Sequence, residues 1–134
     1  HTSLVGFLRY AQDLPLDRAS TVFRGTLYEY AVLECLRQHS FDVFRTGGAD
    51  DKGIDLRGHW RLPIPVVIQC KHEVKKMGPR VVREVGGIRT LATTLDTEEE
   101  PCETLRILAS SSPFTEKAVQ AMMTSASPIL LCLI

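Results

Sequence analysis

A carboxylate at Asp55, an amide at Gln69 and an ammonium at Lys71 are spaced so that one hairpin would bring them together. Side chains alternate along a strand, so Gln69 and Lys71 share a face of the same extended segment. A turn through residues 62–65 predicts that the strand carrying Asp55 folds back alongside them. Such a group can hold a divalent cation through its oxygens and activate a water beside it. Lys71 would stand next to a phosphate, where its ammonium can orient or help deprotonate the attacking water, or offset charge on the pentacovalent phosphorus. Gln69 would give a neutral oxygen where Glu would give a charged one, which lowers the charge of the site and weakens its hold on a metal.

Other side chains qualify by position. Glu29 interrupts the apolar stretch 27–33 and is expected to face inward, as a ligand or as a bridge to metal-bound water. Asp50 and Asp51 read as turn residues beside the site, and His72 as pointing away from Lys71. Trp60 and Tyr28 read as core residues rather than stacking platforms for bases. Ser112 and Thr115 lie in a strand-to-helix junction whose hydroxyls and free amides suit a phosphate. The competing reading of that junction is plain N-capping.

The elements that must position these groups can be traced along the chain. Residues 4–11 suit a short helix that Pro15 interrupts, and Ser20 or Thr21 can cap a second helix. Apolar spacing predicts that second helix over 22–38. Strands are expected over 41–44, 54–60 and 66–71, the last a buried central strand by its consecutive Val66, Val67 and Ile68. Gly78-Pro79 opens a helix expected to run to about residue 95. Strands at 105–110 and 129–133 flank a helix over 114–123, started by Ser112 or Pro113. The order α-β-β-β-α-β-α-β gives an α/β sandwich, a mixed sheet with helices on both faces. Residues 1–22 form an N-terminal helical extension to a domain over 23–134.

Composition narrows the function classes. The chain has 134 residues, enough for one domain with a core. Its 16 basic residues balance 16 acidic ones, which argues against a non-specific electrostatic coat for nucleic acid. A local basic cluster is still present at Lys71, Lys75, Lys76, Arg80, Arg83 and Arg89, with the balancing acid at residues 96–100 and Glu103. Cys35, Cys70, Cys102 and Cys132 show neither paired nor finger spacing, so they read as reduced thiols in a reducing compartment. No apolar run approaches the ~20 residues of a membrane-spanning helix. The start at His1 and the apolar finish ILLCLI read as a chain processed or trimmed from a longer one.

In order and spacing, these motifs resemble the PD-(D/E)xK nuclease superfamily, in particular its Mrr-like, restriction-endonuclease-like branch. The matching pieces are residues 25–29 with Glu29, residues 53–56 with Asp55, Gln69-x-Lys71, and residues 112–115. The wider wording, STVFRGTLYEY, RTGGADDKGIDLRGHW, QCK and VREVGG, is similar to the fungal mitochondrial "required for respiratory growth" proteins of restriction-endonuclease-like type. The resemblance implies a core dependent on Mg²⁺ (or Mn²⁺), with Asp55, Gln69 and Glu29 as metal ligands and Lys71 as the catalytic lysine. It implies DNA as substrate and a mitochondrial address. Lys75, Lys76, Arg80 and Arg83, with Ser112 and Thr115, would hold flanking phosphates. Gln69 departs from the acid common in the superfamily, although the Mrr-like branch carries Gln there. Three functions are compatible with these residues: a DNA endonuclease in mitochondrial DNA maintenance, an inactive nucleic-acid-binding module of the same fold, and an assembly protein with a vestigial site. A homodimer is compatible with the first.

Overall fold

A computed structural model describes residues 1–47, 53–61, 64–88 and 103–134. Expectations placed on Asp50, Asp51, Arg89, Cys102, the acidic residues 96–100, and the turn residues Leu62 and Pro63 lie outside the described residues. Two helices come first, α1 (Leu4–Asp13) and α2 (Thr21–Arg37). They are succeeded by three strands: β1 (Phe41–Arg45), β2 (Leu56–Trp60) and β3 (Ile64–Lys71). The chain continues through α3 (Pro79–Gly86), β4 (Leu105–Ser110), α4 (Glu116–Met123) and β5 (Ile129–Leu133). This is the α/β sandwich that the sequence predicts, preceded by the short N-terminal helix expected from residue 4.

The five strands lie in the order β1-β2-β3-β4-β5. The β1–β2 and β2–β3 pairs are antiparallel, and the β3–β4 and β4–β5 pairs are parallel. Short connections can only reverse a chain, whereas a parallel neighbour needs a crossover. Each parallel strand therefore comes after a helix, and β3 is where the two patterns meet. Alternation along β4 shows how the faces are used. Ile107 and Ala109 pack with Val32, Leu33 and Leu36 of α2, while Leu108 packs with Val82 and Val85 of α3 and Ala118 of α4. Phe7 of α1 is buried in the first of these clusters, stacked on Tyr30 at 5.3 Å between ring centroids.

Local chemistry sets the element ends. The Ser3 hydroxyl accepts from the Gly6 N–H (3.1 Å) at the start of α1, and Ser20 accepts from the Phe23 N–H (3.1 Å) at the start of α2. Leu14 is extended because it precedes Pro15, and α1 stops there. Three expectations need correction. The helix opened by Pro79 ends at Gly86 rather than near residue 95, because Gly86 and Gly87 are poor helix formers and Gly87 N–H closes the last turn onto Arg83 C=O (3.0 Å). The helix expected from residue 114 begins at Glu116. Its cap is Thr115, whose hydroxyl accepts from Ala118 N–H (3.1 Å), and not Ser112 or Pro113. Phe114 instead bridges to Met77 in parallel, so the chain there is extended. Finally, Pro65 belongs to β3 and not to the preceding turn. It pairs with His59, and β4 begins only opposite Val66, so on that side the missing N–H costs no ladder bond.

Gly58 of β2 is opposite Val43, and a Cβ there would stand 2.0 Å from Asp42 C=O. Backbone on backbone cannot yield as a flexible side chain can. Gly58→Ala is expected to lower unfolding free energy by about 3 kcal/mol or to abolish folding. Urea denaturation checks this, and a midpoint equal to wild type would contradict it.

Candidate active site

The sequence suggests that Asp55 lies inside a strand. It lies just before β2, where Gly53, at φ +80°, turns the chain into the sheet. Its backbone still takes part in the sheet: Asp55 N–H donates to Ile68 C=O (2.9 Å) and its C=O accepts from Thr46 N–H (2.9 Å). The side chain reaches across to β3. Asp55 Oδ2 accepts from Gln69 Nε2 (3.0 Å) and from Cys70 N–H (2.6 Å). The hairpin therefore brings Asp55 and Gln69 together as the sequence predicts, and the carboxylate fixes the end of β3 as well.

Gln69 and Lys71 share one face of β3, and Cys70 faces the other, packed against the α2 cluster. Gln69 and Lys71 line a cavity of about 280 Å³ with Gly53 on the sheet side and Val81, Glu84, Val85 and Ile88 of α3 on the other. A Cβ on Gly53 would stand 3.1 Å from Gln69 Oε1, so glycine here serves both the turn and the room around that amide. Lys71 is half-buried, its carbonyl accepting from Ser111 N–H (3.1 Å).

Glu29 lies on α2. It is held in an ion pair by Arg45, which also lies over the Tyr30 ring at 5.6 Å. Burial works against the Arg45 charge, but the Glu29 hydrogen bond and charge outweigh it and raise the guanidinium pKa above its ordinary value. Neither Glu29 nor Asp55 is itself among the described residues that line the cavity; Asp55 adjoins it through its bond to Gln69. Glu29 stays near the site through Cys70. Burial pushes the Cys70 thiol well up, and the Asp55 and then the Glu29 carboxylates push in the same direction.

Lys75, Lys76, Arg80 and Arg83 are exposed beyond β3 and along α3. Arg80 pairs loosely with Glu84 at 3.7 Å, and Arg83 faces a groove of about 630 Å³ between α3 and α4 that Lys117 also lines. Ser112 is buried and its hydroxyl donates to Glu73 C=O, while the Thr115 hydroxyl caps α4. Both hydroxyls are therefore engaged within the chain, as plain capping and loop bracing require. His72 points away from Lys71 as expected. Its ring stacks on Tyr28 at 5.1 Å and its Nδ1 lies 2.9 Å from Ser111 Oγ. Trp60 stacks on Phe41 at 5.0 Å, a core contact.

Sequence reasoning missed two residues. Nothing in the spacing of Arg45 announces it as the partner of Glu29. Glu84 did carry a signal, because Val81, Glu84, Val85 and Ile88 recur at the spacing of one helix face. No group of three or more His, Cys, Asp or Glu able to hold a metal occurs among the described residues. Asp55 and Gln69 meet through the carboxylate Oδ2 and the amide Nε2, which leaves Gln69 Oε1 toward Gly53; that amide oxygen and the carboxylate are hard donors of the kind Mg²⁺ and Mn²⁺ take.

A family model described as "Required for respiratory growth protein 7" matches residues 20–65 and 61–134. The chain belongs to this family. A mitochondrial protein of Schizosaccharomyces pombe is 36% identical over 138 residues, covering 98% of the chain and 53% of that protein. The family member named mitochondrial from Vanderwaltozyma polyspora is 46% identical over 56 residues, 40% of the chain and 22% of that protein. The one from Zygosaccharomyces rouxii, also named mitochondrial, is 36% identical over 62 residues, 45% of the chain and 24% of that protein. The chain spans about half the length of its Schizosaccharomyces pombe relative. Among solved structures, the MspJI restriction endonuclease in complex with a 27-mer oligonucleotide superposes with a TM-score of 0.52 at 15% identity, covering 96% of the chain and 28% of that protein. The fold is thus restriction-endonuclease-like.

The bonds of Asp55 and the thiols behind it lead to two expected outcomes. Asp55→Ala removes the acceptor of Cys70 N–H and should cost about 1–3 kcal/mol, while Asp55→Asn keeps an acceptor oxygen and should cost less. Equal denaturation midpoints for wild type and Asp55→Ala would contradict this. Burial raises the Cys70 and Cys132 thiol pKa values above ordinary, and raises the Tyr28 phenol as well. The unfolded chain then ionises first, from about pH 8.5 for Cys and 10 for Tyr. The stability these groups contribute is complete below those values and is lost as pH rises toward the folded ones. Denaturation midpoints should fall between about pH 7.5 and 10, and less steeply in Cys70→Ala. A midpoint that holds or rises over that range would contradict the assignment.

Proposed function

We propose that this chain is the nuclease core of a mitochondrial, metal-dependent DNA endonuclease that acts in mitochondrial DNA maintenance. The observation that carries the reading is the hydrogen bond between Asp55 and Gln69 beside a cavity that Lys71 also lines. A restriction-endonuclease-like fold around that cavity supports phosphodiester hydrolysis as the reaction class. The mitochondrial names of the relatives support the address. No helix among the described residues is long and apolar enough to cross a membrane.

Asp55 and Gln69 would hold Mg²⁺ or Mn²⁺ through one carboxylate and one amide oxygen. When bound, the ion supplies Lewis acidity at the phosphate and lowers the pKa of a water. The chain does the rest. Asp55 keeps the end of β3 in place by its bond to Cys70 N–H. Lys71 presents a cation to the phosphate oxygens where negative charge grows during attack. Lys75, Lys76, Arg80 and Arg83, exposed beyond β3 and along α3, would contact phosphates along the strand. Two copies would be needed to cut both strands at once.

A second reading is favoured by a specific observation. Glu29 is held by Arg45, and Gln69 stands where an acid is common, so the site carries little negative charge. Such a domain would bind nucleic acid without cutting it.

The two readings separate in one assay. Supercoiled, linear, single-stranded and branched DNA are incubated with the chain and Mn²⁺, beside Asp55→Asn and Lys71→Ala. Cleavage is expected in wild type and is expected to fall about 100-fold or more in each variant. Cleavage retained in Lys71→Ala sinks the assignment of the site. No cleavage by folded wild type, with salt-sensitive DNA binding intact, establishes the binding module instead.

A further inference from the structure

Helix α3 presents two different edges. Arg83 and Gly86 line the groove toward α4, and Glu84 lines the cavity that holds Gln69 and Lys71. Val81, Val85 and Ile88 beside Glu84 pack into the apolar cluster with Leu108, which fixes this edge of the helix against the sheet. Among the described residues, Glu84 is the acidic side chain of that lining. Across from it stand a neutral amide and a lysine. Its own ion pair is a weak tether: Arg80 Nε is 3.7 Å from Glu84 Oε1, and the two side chains are 88% and 58% exposed. An exposed pair of this kind holds little, and the order with the base N-terminal to the acid is the less favourable one on a helix.

We propose that Glu84 is the second carboxylate of the site, reaching across the cavity from α3 to supply the negative charge that Gln69 does not. This rests on the metal-dependent reading of the Asp55 site. A divalent cation beside Asp55 and Gln69 has one charged protein oxygen from those two residues; Glu84 adds a second from the opposite wall and counters Lys71. It also makes Arg80 a competitor for Glu84 when the cation is absent.

The test is Mn²⁺ binding by isothermal titration calorimetry, with melting curves run to confirm folding. Wild type, Glu84→Gln, Glu84→Asp, Asp55→Asn and Glu116→Gln are compared. Glu116 is an exposed acid at the start of α4 and controls for the loss of one charge. Glu84→Gln is expected to weaken Mn²⁺ about tenfold or more. Glu84→Asp should recover part of that loss, and Glu116→Gln should match wild type. Wild-type affinity in Glu84→Gln, with affinity lost in Asp55→Asn, overturns the role of Glu84 and leaves the Asp55 site standing. Equal weakening in Glu84→Gln and Glu116→Gln reduces the effect to general charge and also overturns it. No Mn²⁺ binding by wild type removes both Glu84 and the metal-dependent reading.

Discussion

One carboxylate oxygen, Asp55 Oδ2, joins the entrance of β2 to the exit of β3 by accepting from Cys70 N–H and from Gln69 Nε2. A backbone N–H at the end of a strand needs a partner, and here an ionisable side chain provides it. The same oxygen decides where Gln69 points, and β3 carries Lys71 one period of alternation further. A charged acceptor makes a stronger bond than a neutral one, so the carboxylate proposed to act in the site also fixes the local frame. Structure and site are not separable at this position.

Strand β3 is also the seam between two modes of chain connection. On one side lies the antiparallel hairpin with β2, and on the other the helix-linked parallel pair with β4. The two faces of β3 therefore see different environments. Cys70 faces the α2 cluster, where burial and nearby carboxylates hold its thiol protonated. Gln69 and Lys71 face an open cavity bounded by α3. A strand whose alternate residues serve a dry core and a wet cavity can hold a lysine in place without burying its charge, because the stem packs while the ammonium reaches water.

The distribution of charge distinguishes this site from a strongly acidic one. Glu29 is neutralised by Arg45, Gln69 carries no charge, and basic side chains gather beyond β3. The net charge of zero is thus a sum of unlike regions. The chain covers 53% of its Schizosaccharomyces pombe relative.

The sequence by itself determined the order of the elements, the α/β class and the meeting of Asp55 with Gln69. These depend on local rules: period-two alternation, caps such as Ser20, and the punctuation of Pro15 and Gly78-Pro79. It overran α3 because the apolar spacing continues past Gly86-Gly87, where backbone entropy favours ending the helix. Only the tertiary structure decided which carboxylates face which side. Glu29 has the apolar neighbours of a site residue, yet it turns to Arg45, a residue brought close by the packing of α2 on β1. Ser112 is taken up by Glu73 C=O, a bond set by how the β3–α3 loop meets the β4–α4 turn, whereas Thr115 caps its own helix locally. Glu84 shares its helical face with Val81 and Val85 by spacing alone, but that this face lies across from Gln69 and Lys71 depends on α3 crossing the sheet. Periodicity fixes the face on which a residue lies; the packing of distant segments decides what that face meets.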